Sequence, residues 1–147
     1  MTAGREVRIT RIFDAPRELV FRAWLDPDQI AAWMAPAGLE VPSSSVEVDA
    51  RPGGVIAYSM VDPSSGQEHP VRFEIVEMVE PELLLMESPA QPELGFPERI
   101  STRVAFDEND AQTTVTVTQG PHTDETISDA DAGWTSIFEK LESLLAG

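Results

Sequence analysis

The sequence contains no cysteine, which removes disulfides, thiolate catalysis and thiolate metal sites together and fits a reducing compartment. It is nearly as poor in lysine. Lys140 is the only one, and Lys plus Arg total 10 against 26 Asp plus Glu, for a formal net charge of −16. Nucleic acid is a polyanion whose binding needs a basic stripe; none exists, so a nucleic-acid partner is excluded. The same deficit argues against anionic lipid surfaces. Long apolar runs are missing as well. Runs such as Leu83-Leu84-Leu85-Met86 are short, far below the length that spans a bilayer. The opening Met1-Thr2-Ala3-Gly4-Arg5-Glu6 runs into charged sequence with no apolar targeting region. The expectation is a cytoplasmic protein with no membrane partner, whose acidic surface serves solubility.

What is present fits one domain over residues 1–147, long enough to bury roughly 70% of the surface that its unfolded chain exposes. No repeat or linker divides it. Val7 and Ile9 alternate with Arg8 and Thr10 in a strand from Glu6 to Phe13. Asp14-Ala15-Pro16 then reads as a helix start, with Asp14 as the cap and Leu19, Val20, Ala23 and Trp24 at helical spacing. Asp26-Pro27 opens a second short helix through Ile30, Trp33 and Met34, ended by Pro36 and Gly38.

The middle of the chain alternates with period two. Val46 and Val48 begin it, Arg51-Pro52-Gly53-Gly54 turns, and Val55 to Val61 carries Ile56, Tyr58 and Met60 on one side. Pro63-Ser64-Ser65-Gly66 turns again. Val71, Phe73 and Ile75 then share a face, Glu80-Pro81 breaks the strand, and Leu83 to Glu87 forms a short apolar one. A proline-rich loop covers Pro89 to Pro97. Ile100, Thr102, Val104 and Phe106 alternate, Asn109-Asp110 turns, and Thr113 to Thr118 interleaves threonine with Val115 and Val117. Short turns between consecutive strands imply antiparallel pairing. Trp134, Ile137, Phe138, Leu141, Leu144 and Leu145 form the apolar stripe of a last helix, which starts between Thr123 and Ser128, either of which can cap it. Gly133 costs that helix about 1 kcal/mol relative to alanine, in return for a close approach to the sheet or as a tolerated turn near the helix start.

The expected fold is therefore α+β: a curved antiparallel sheet of six to seven strands, two short helices after the first strand, and a long C-terminal helix across the concave face. A strongly twisted sheet wrapped round one helix leaves an apolar cavity, where small ligands bind.

Several segments in this order also carry a family resemblance: Arg11-Ile12-Phe13-Asp14-Ala15-Pro16 with Val20, Trp24, Asp26 and Pro27; Trp33-Met34; Asp49-Ala50-Arg51-Pro52-Gly53-Gly54; and Gly133-Trp134 with Leu141. Together they resemble the homologues of the C-terminal domain of the heat-shock-protein-90 ATPase activator, within the START-like (SRPBCC) superfamily. The resemblance covers nearly the whole chain and implies a helix-grip fold with a central hydrophobic cavity. It does not imply one activity, since fold and function separate in such superfamilies. Where the family frequently has a tryptophan pair, this chain has Trp33-Met34, which sets a flexible thioether in place of one aromatic.

The candidate ligand contacts are Tyr58, Met60, Phe73, Met86, Trp134 and Phe138, with Trp33 and Met34 at one end; core packing is the competing role for each. Tyr58, the only tyrosine, brings a phenol that wants a hydrogen-bond partner when buried. Arg99 and Arg103 alternate opposite apolar neighbours and belong on the solvent face. His69 and His122 stand beside prolines at strand ends, where solvated histidines are ordinary; either could act as a base. No paired-histidine spacing, phosphate loop or nucleophile elbow appears, so no metal, cofactor or catalytic set is assigned. The expected role is binding of a hydrophobic or aromatic small molecule. Its alternatives are a cyclase or dehydratase acting on a polyketide-like substrate, and a chaperone-associated interaction module. A free sheet edge allows a monomer or a weak dimer.

Overall fold

The computed structural model describes residues 5–91, 98–123 and 127–146; most of the expected proline-rich loop and the stretch just ahead of the last helix lie outside them. The elements are β1 (Arg5–Phe13), α1 (Arg17–Ala23), α2 (Pro27–Trp33), β2 (Glu47–Asp49), β3 (Val55–Val61), β4 (Glu68–Val79), β5 (Leu83–Ser88), β6 (Ile100–Asn109), β7 (Gln112–His122) and α3 (Ile127–Ala146). The seven strands form one antiparallel sheet in the order β1-β7-β6-β5-β4-β3-β2. Strands β2 to β7 meander, and β1 joins the end of the series by pairing with β7 at Ile9↔Val117. The first two strands in sequence thus occupy opposite edges. The segment carrying α1 and α2 must cross the sheet to connect them.

Alternation decides which face that segment covers. In β6, Ile100, Thr102, Val104 and Phe106 are buried while Ser101, Arg103 and Asp107 are exposed. In β7, Thr113, Val115 and Val117 continue the buried face. Helix α3 lies over it, 20 residues long and so about 30 Å at the helical rise. Trp134, Ile137, Phe138 and Leu141 point into the core. Polar contacts set its position: Arg11 Nη2 donates to Glu142 Oε1 (2.7 Å), the Ala37 amide to Ser136 Oγ (2.8 Å), and Lys140 Nζ to the Pro36 carbonyl (3.4 Å).

The local signals differ in how they are realised. Asp26 caps α2 through the Asp28 amide (3.0 Å), with Pro27 in the first turn. Asp14 does not cap α1. Pro16 occupies the N-cap position, so Asp14 stands two residues too far out, and the Arg17 amide instead donates to Glu108 Oε2 of β6 (3.1 Å). Ser128 lies inside the first turn of α3 rather than at its cap, and the Ile127 amide donates to the Thr123 carbonyl (3.0 Å). In the Arg51–Gly54 turn, Gly53 has φ +86° and a Cβ on Gly54 would overlap the Asp49 carbonyl oxygen. Two backbone bonds, Gly53 N–H to Ile75 O (2.8 Å) and Ile75 N–H to Gly54 O (2.9 Å), tie this turn to β4 beside its bulge.

Two expectations are corrected here. The β6–β7 hairpin turns on Asp110-Ala111, not Asn109-Asp110, because Asn109 still pairs with Gln112. Both turn residues have positive φ, 55° and 66°, the geometry that matches strand twist in tight hairpins. Gly133 makes no close approach, since a Cβ added there meets nothing within 4 Å. Ala111→Gly relieves a left-handed alanine and should stabilise the fold by about 0.5–1 kcal/mol. Gly133→Ala should add about 1 kcal/mol. In thermal unfolding each should raise Tm by about 2–4 °C; a lowered Tm would contradict the corresponding backbone assignment.

Candidate binding face

The buried face of the sheet has two unlike halves. Under the central turns of α3 it is aromatic. Trp24, at the end of α1, is fully buried and touches four rings: Trp33 (centroids 4.8 Å, edge-on), Trp134 (5.9 Å, stacked), Phe106 (6.1 Å) and Phe138 (6.4 Å). Phe13 meets Phe138 at 5.6 Å and Phe21 meets Phe106 at 5.1 Å. Such pairs contribute about 0.5–1.5 kcal/mol each beyond their area. Trp33 Nε1 donates to the Ala23 carbonyl (2.9 Å), which locks α2 to α1. Trp24 Nε1 is buried with no hydrogen-bond partner among the described residues. Of the predicted contacts, Trp33, Met34 and Phe138 belong to this half, all 0–1% exposed.

The second half begins at Trp134. Its indole N–H donates to Gln119 Oε1 (3.1 Å), while Gln119 Nε2 donates to Thr102 Oγ1 (2.8 Å). An indole can only donate, so the amide orientation is fixed. His122 Nε2 lies 3.0 Å from the same Oε1, and therefore carries the proton. Thr102 and His122 are buried, at 0% and 5% exposure, and Gln119 is half-buried. Burial lowers the His122 pKa below its usual 6.5, which favours the neutral imidazole. The expectation of a solvated turn histidine fails for His122. The last residues of β7 bring it under the helix.

Beyond this junction lie β3 and β4. Ile56 pairs with Phe73, Tyr58 with Val71 and Met60 with His69. Tyr58 and Phe73 are buried with ring centroids 6.4 Å apart, whereas Met60, Val71 and His69 on the same face keep partial exposure. Burial pushes the Tyr58 phenol well above its usual range, and its hydroxyl makes no hydrogen bond to a described residue without being fully sealed from solvent. Met86 is buried in the middle of the face, opposite Thr102. Ile127 and Ala130, on the first turns of α3, are half-buried against the core. The structure thus gathers Tyr58, Met60 and Phe73 on one hairpin, and Trp33, Met34 and Phe138 at the opposite end, with Met86 and Trp134 between. Sequence reading missed Gln119, Thr102 and Trp24. Gln119 and Thr102 occupy inward positions of alternating strands, a signal that period two could have supplied.

Two adjoining grooves lie elsewhere. One, of about 400 Å³, runs between Ala31, Ala35, Leu39 and Val41; the other, of about 590 Å³, runs along Ala37, Ser136, Glu139 and Ser143. Lys140 borders both, and neither contains a predicted contact. Arg99 and Arg103 are exposed as expected; Arg99 pairs with Glu74 and with Glu87 (3.2 Å). No described helix is long and apolar enough to cross a membrane.

An antiparallel sheet closed on one face by a long terminal helix, with two short helices after its first strand, defines a helix-grip protein. The chain belongs to the family described as Activator of Hsp90 ATPase homolog 1-like protein, whose pattern matches residues 14–146. Among solved structures it resembles protein CV1439 from Chromobacterium violaceum, with 26% identity, TM-score 0.83, and 95% of this chain and 96% of that one covered. Protein Ms6760 from Mycobacterium smegmatis (24%, TM-score 0.76, 95% and 90% covered) and an AHSA1-like protein from Aeromonas hydrophila (21%, TM-score 0.79, 95% and 90% covered) share the fold. No protein of curated function matches the sequence significantly.

Because His122 is held neutral in the folded state, the unfolded chain takes up this proton first as pH falls. Its contribution is complete above about pH 6.5 and is lost as pH falls from there towards the lowered folded pKa. Chemical denaturation of wild type and His122→Gln between pH 7.5 and 5 should show wild type losing stability faster than the variant. Parallel curves would mean that the ring is free to protonate in place.

Proposed function

We propose that the chain binds a hydrophobic or aromatic small molecule, of lipid or polyketide type, on the β3–β4 half of the concave face. The observation that carries this reading is Tyr58. Its hydroxyl makes no hydrogen bond to a described residue and is not sealed off from the open side of the face, so it can meet an occupant there; a phenol in an apolar setting normally has such a partner. Around it Met60 and Val71 remain half-exposed on a face whose other positions are largely buried. Ligand sites have this make-up: apolar walls with few polar fixtures that orient the occupant. Gln119 and His122 mark the inner limit, and Trp134 forms the boundary with the ring-packed half. Trp33, Met34 and Phe138 support the wall rather than touch the ligand. A ligand with an apolar body and one carbonyl or hydroxyl that reaches Tyr58 fits best. The role is binding rather than catalysis, carried out by one domain in the cytoplasm.

The test is a titration with lipids, flavonoids and polyketides, followed through tryptophan fluorescence and amide shifts. A ligand with a micromolar Kd should weaken at least ~10-fold on Val71→Asp, which sets an unpaired charge on the apolar wall. It should weaken a few-fold on Tyr58→Phe, the loss of one hydrogen bond. No response across a diverse panel, or binding unaffected by Val71→Asp in a variant with native circular dichroism, would overturn the assignment.

The family description favours a second reading, contact with a chaperone of the Hsp90 class. Adding the purified protein should then raise the chaperone's ATPase turnover; an unchanged rate at saturating protein removes this role.

A further inference from the structure

The face of the sheet turned away from α3 is covered by no described helix. One row of cross-strand neighbours, Val79, Leu83, Ala105, Thr116 and Thr10, crosses five strands without a charge. Leu83, Ala105 and Thr116 are half-buried, and Val79 is 41% exposed. Two positions to either side on β6 stand Arg103 and Asp107, both exposed. Neither makes an ion pair among the described residues. In a chain of net charge −16 the Arg103 and Asp107 positions are self-complementary about this row, while Glu77, in the Arg103 row, has no basic counterpart. A two-fold axis laid along the row, between two sheets face to face, carries each row residue onto its own counterpart. The same rotation carries a residue two steps up a strand onto the position two steps down. Arg103 of one copy then faces Asp107 of the other, twice. On β1 the same operation sets Arg8 over Ile12, which is 57% exposed, and a long aliphatic stem covers such a side chain well.

We propose that this face is a homodimer interface, two copies packing sheet to sheet about that axis with reciprocal Arg103–Asp107 pairs. Isologous two-fold contacts need a surface complementary to itself, and face-to-face sheets meet at about 10 Å, within reach of an arginine–aspartate pair. Any other partner surface would have to match the same alternation of charge. Five strands about 4.8 Å apart and three rows about 7 Å apart cover on the order of 400 Å² per copy, below the ~800 Å² per partner of stable complexes. The dimer is therefore weak, with Kd on the order of 100 μM, and needs enough salt to screen the two net charges.

Sedimentation equilibrium from about 10 μM to 1 mM in ~0.15 M salt should show wild-type mass rising towards twice that of the chain. Arg103→Asp and Asp107→Arg should each remain monomeric over the range, with unchanged circular dichroism. Mixing these two variants should restore association, because both cross-interface pairs become complementary again. A monomeric wild type at 1 mM overturns the proposal, as do single variants that associate like wild type or a mixture that stays monomeric. Should either variant fail to fold, Ala105→Glu, which puts a like charge on the axis, must abolish association instead.

Discussion

The structure depends on the contact between Trp24 and the inward seam of α3. Trp24 stands at the end of α1, stacks on Trp134, meets Phe138 edge-on and reaches Phe106 on the sheet. One side chain thereby joins the helical crossing, the terminal helix and the central strands. The three layers are far apart in sequence. Their association must offset the entropy of closing long loops, and only large apolar surfaces do so at this scale. The polar links between α3 and its neighbours, Arg11–Glu142 and Ala37–Ser136, orient the helix. Exposed ion pairs of this kind contribute about 0–1 kcal/mol, too little to hold it.

The grip follows from where those aromatics stop. Under the central turns of α3 the rings of Trp24, Phe13, Trp134 and Phe138 pack against one another. At Trp134 the packing changes from rings to hydrogen bonds, because the indole N–H must be satisfied and Gln119 satisfies it. The junction also sets the proton of His122 on Nε2 and lets the buried Thr102 hydroxyl accept from Gln119 Nε2. Beyond it, medium-sized side chains such as Met60 and Val71 leave the wall partly open. The same sheet thus has a ring-packed half and a partly exposed half, divided by a polar seam.

Strand content, the two short helices and the terminal helix were legible because burial on one face imposes period two or 3.6 on the sequence. Asp26-Pro27 marked α2 correctly, since that capping geometry is local. Other local signals misled. Asp14 has the chemistry of a cap, but Pro16 occupies the cap position and Glu108 from another strand serves Arg17. Asn109-Asp110 has the composition of a turn, but the register across β6 and β7 moves the turn one residue on, to an alanine. Gly133 suggested a close approach, yet the space beside it is empty.

By itself the sequence determined the fold class, the order of elements and the net negative charge, and it put forward Tyr58, Met60 and Phe73 as candidates that share a sheet face. Each of these is written in short-range periodicity or in composition. Only the tertiary structure decided that Trp33 and Met34 are core, that His122 is buried beside Gln119, and that Tyr58 has no partner among the described residues. Those facts depend on which residues meet across the sheet and beneath the helix. Pairing between distant segments is set by the packing of the whole core, and no local pattern encodes it.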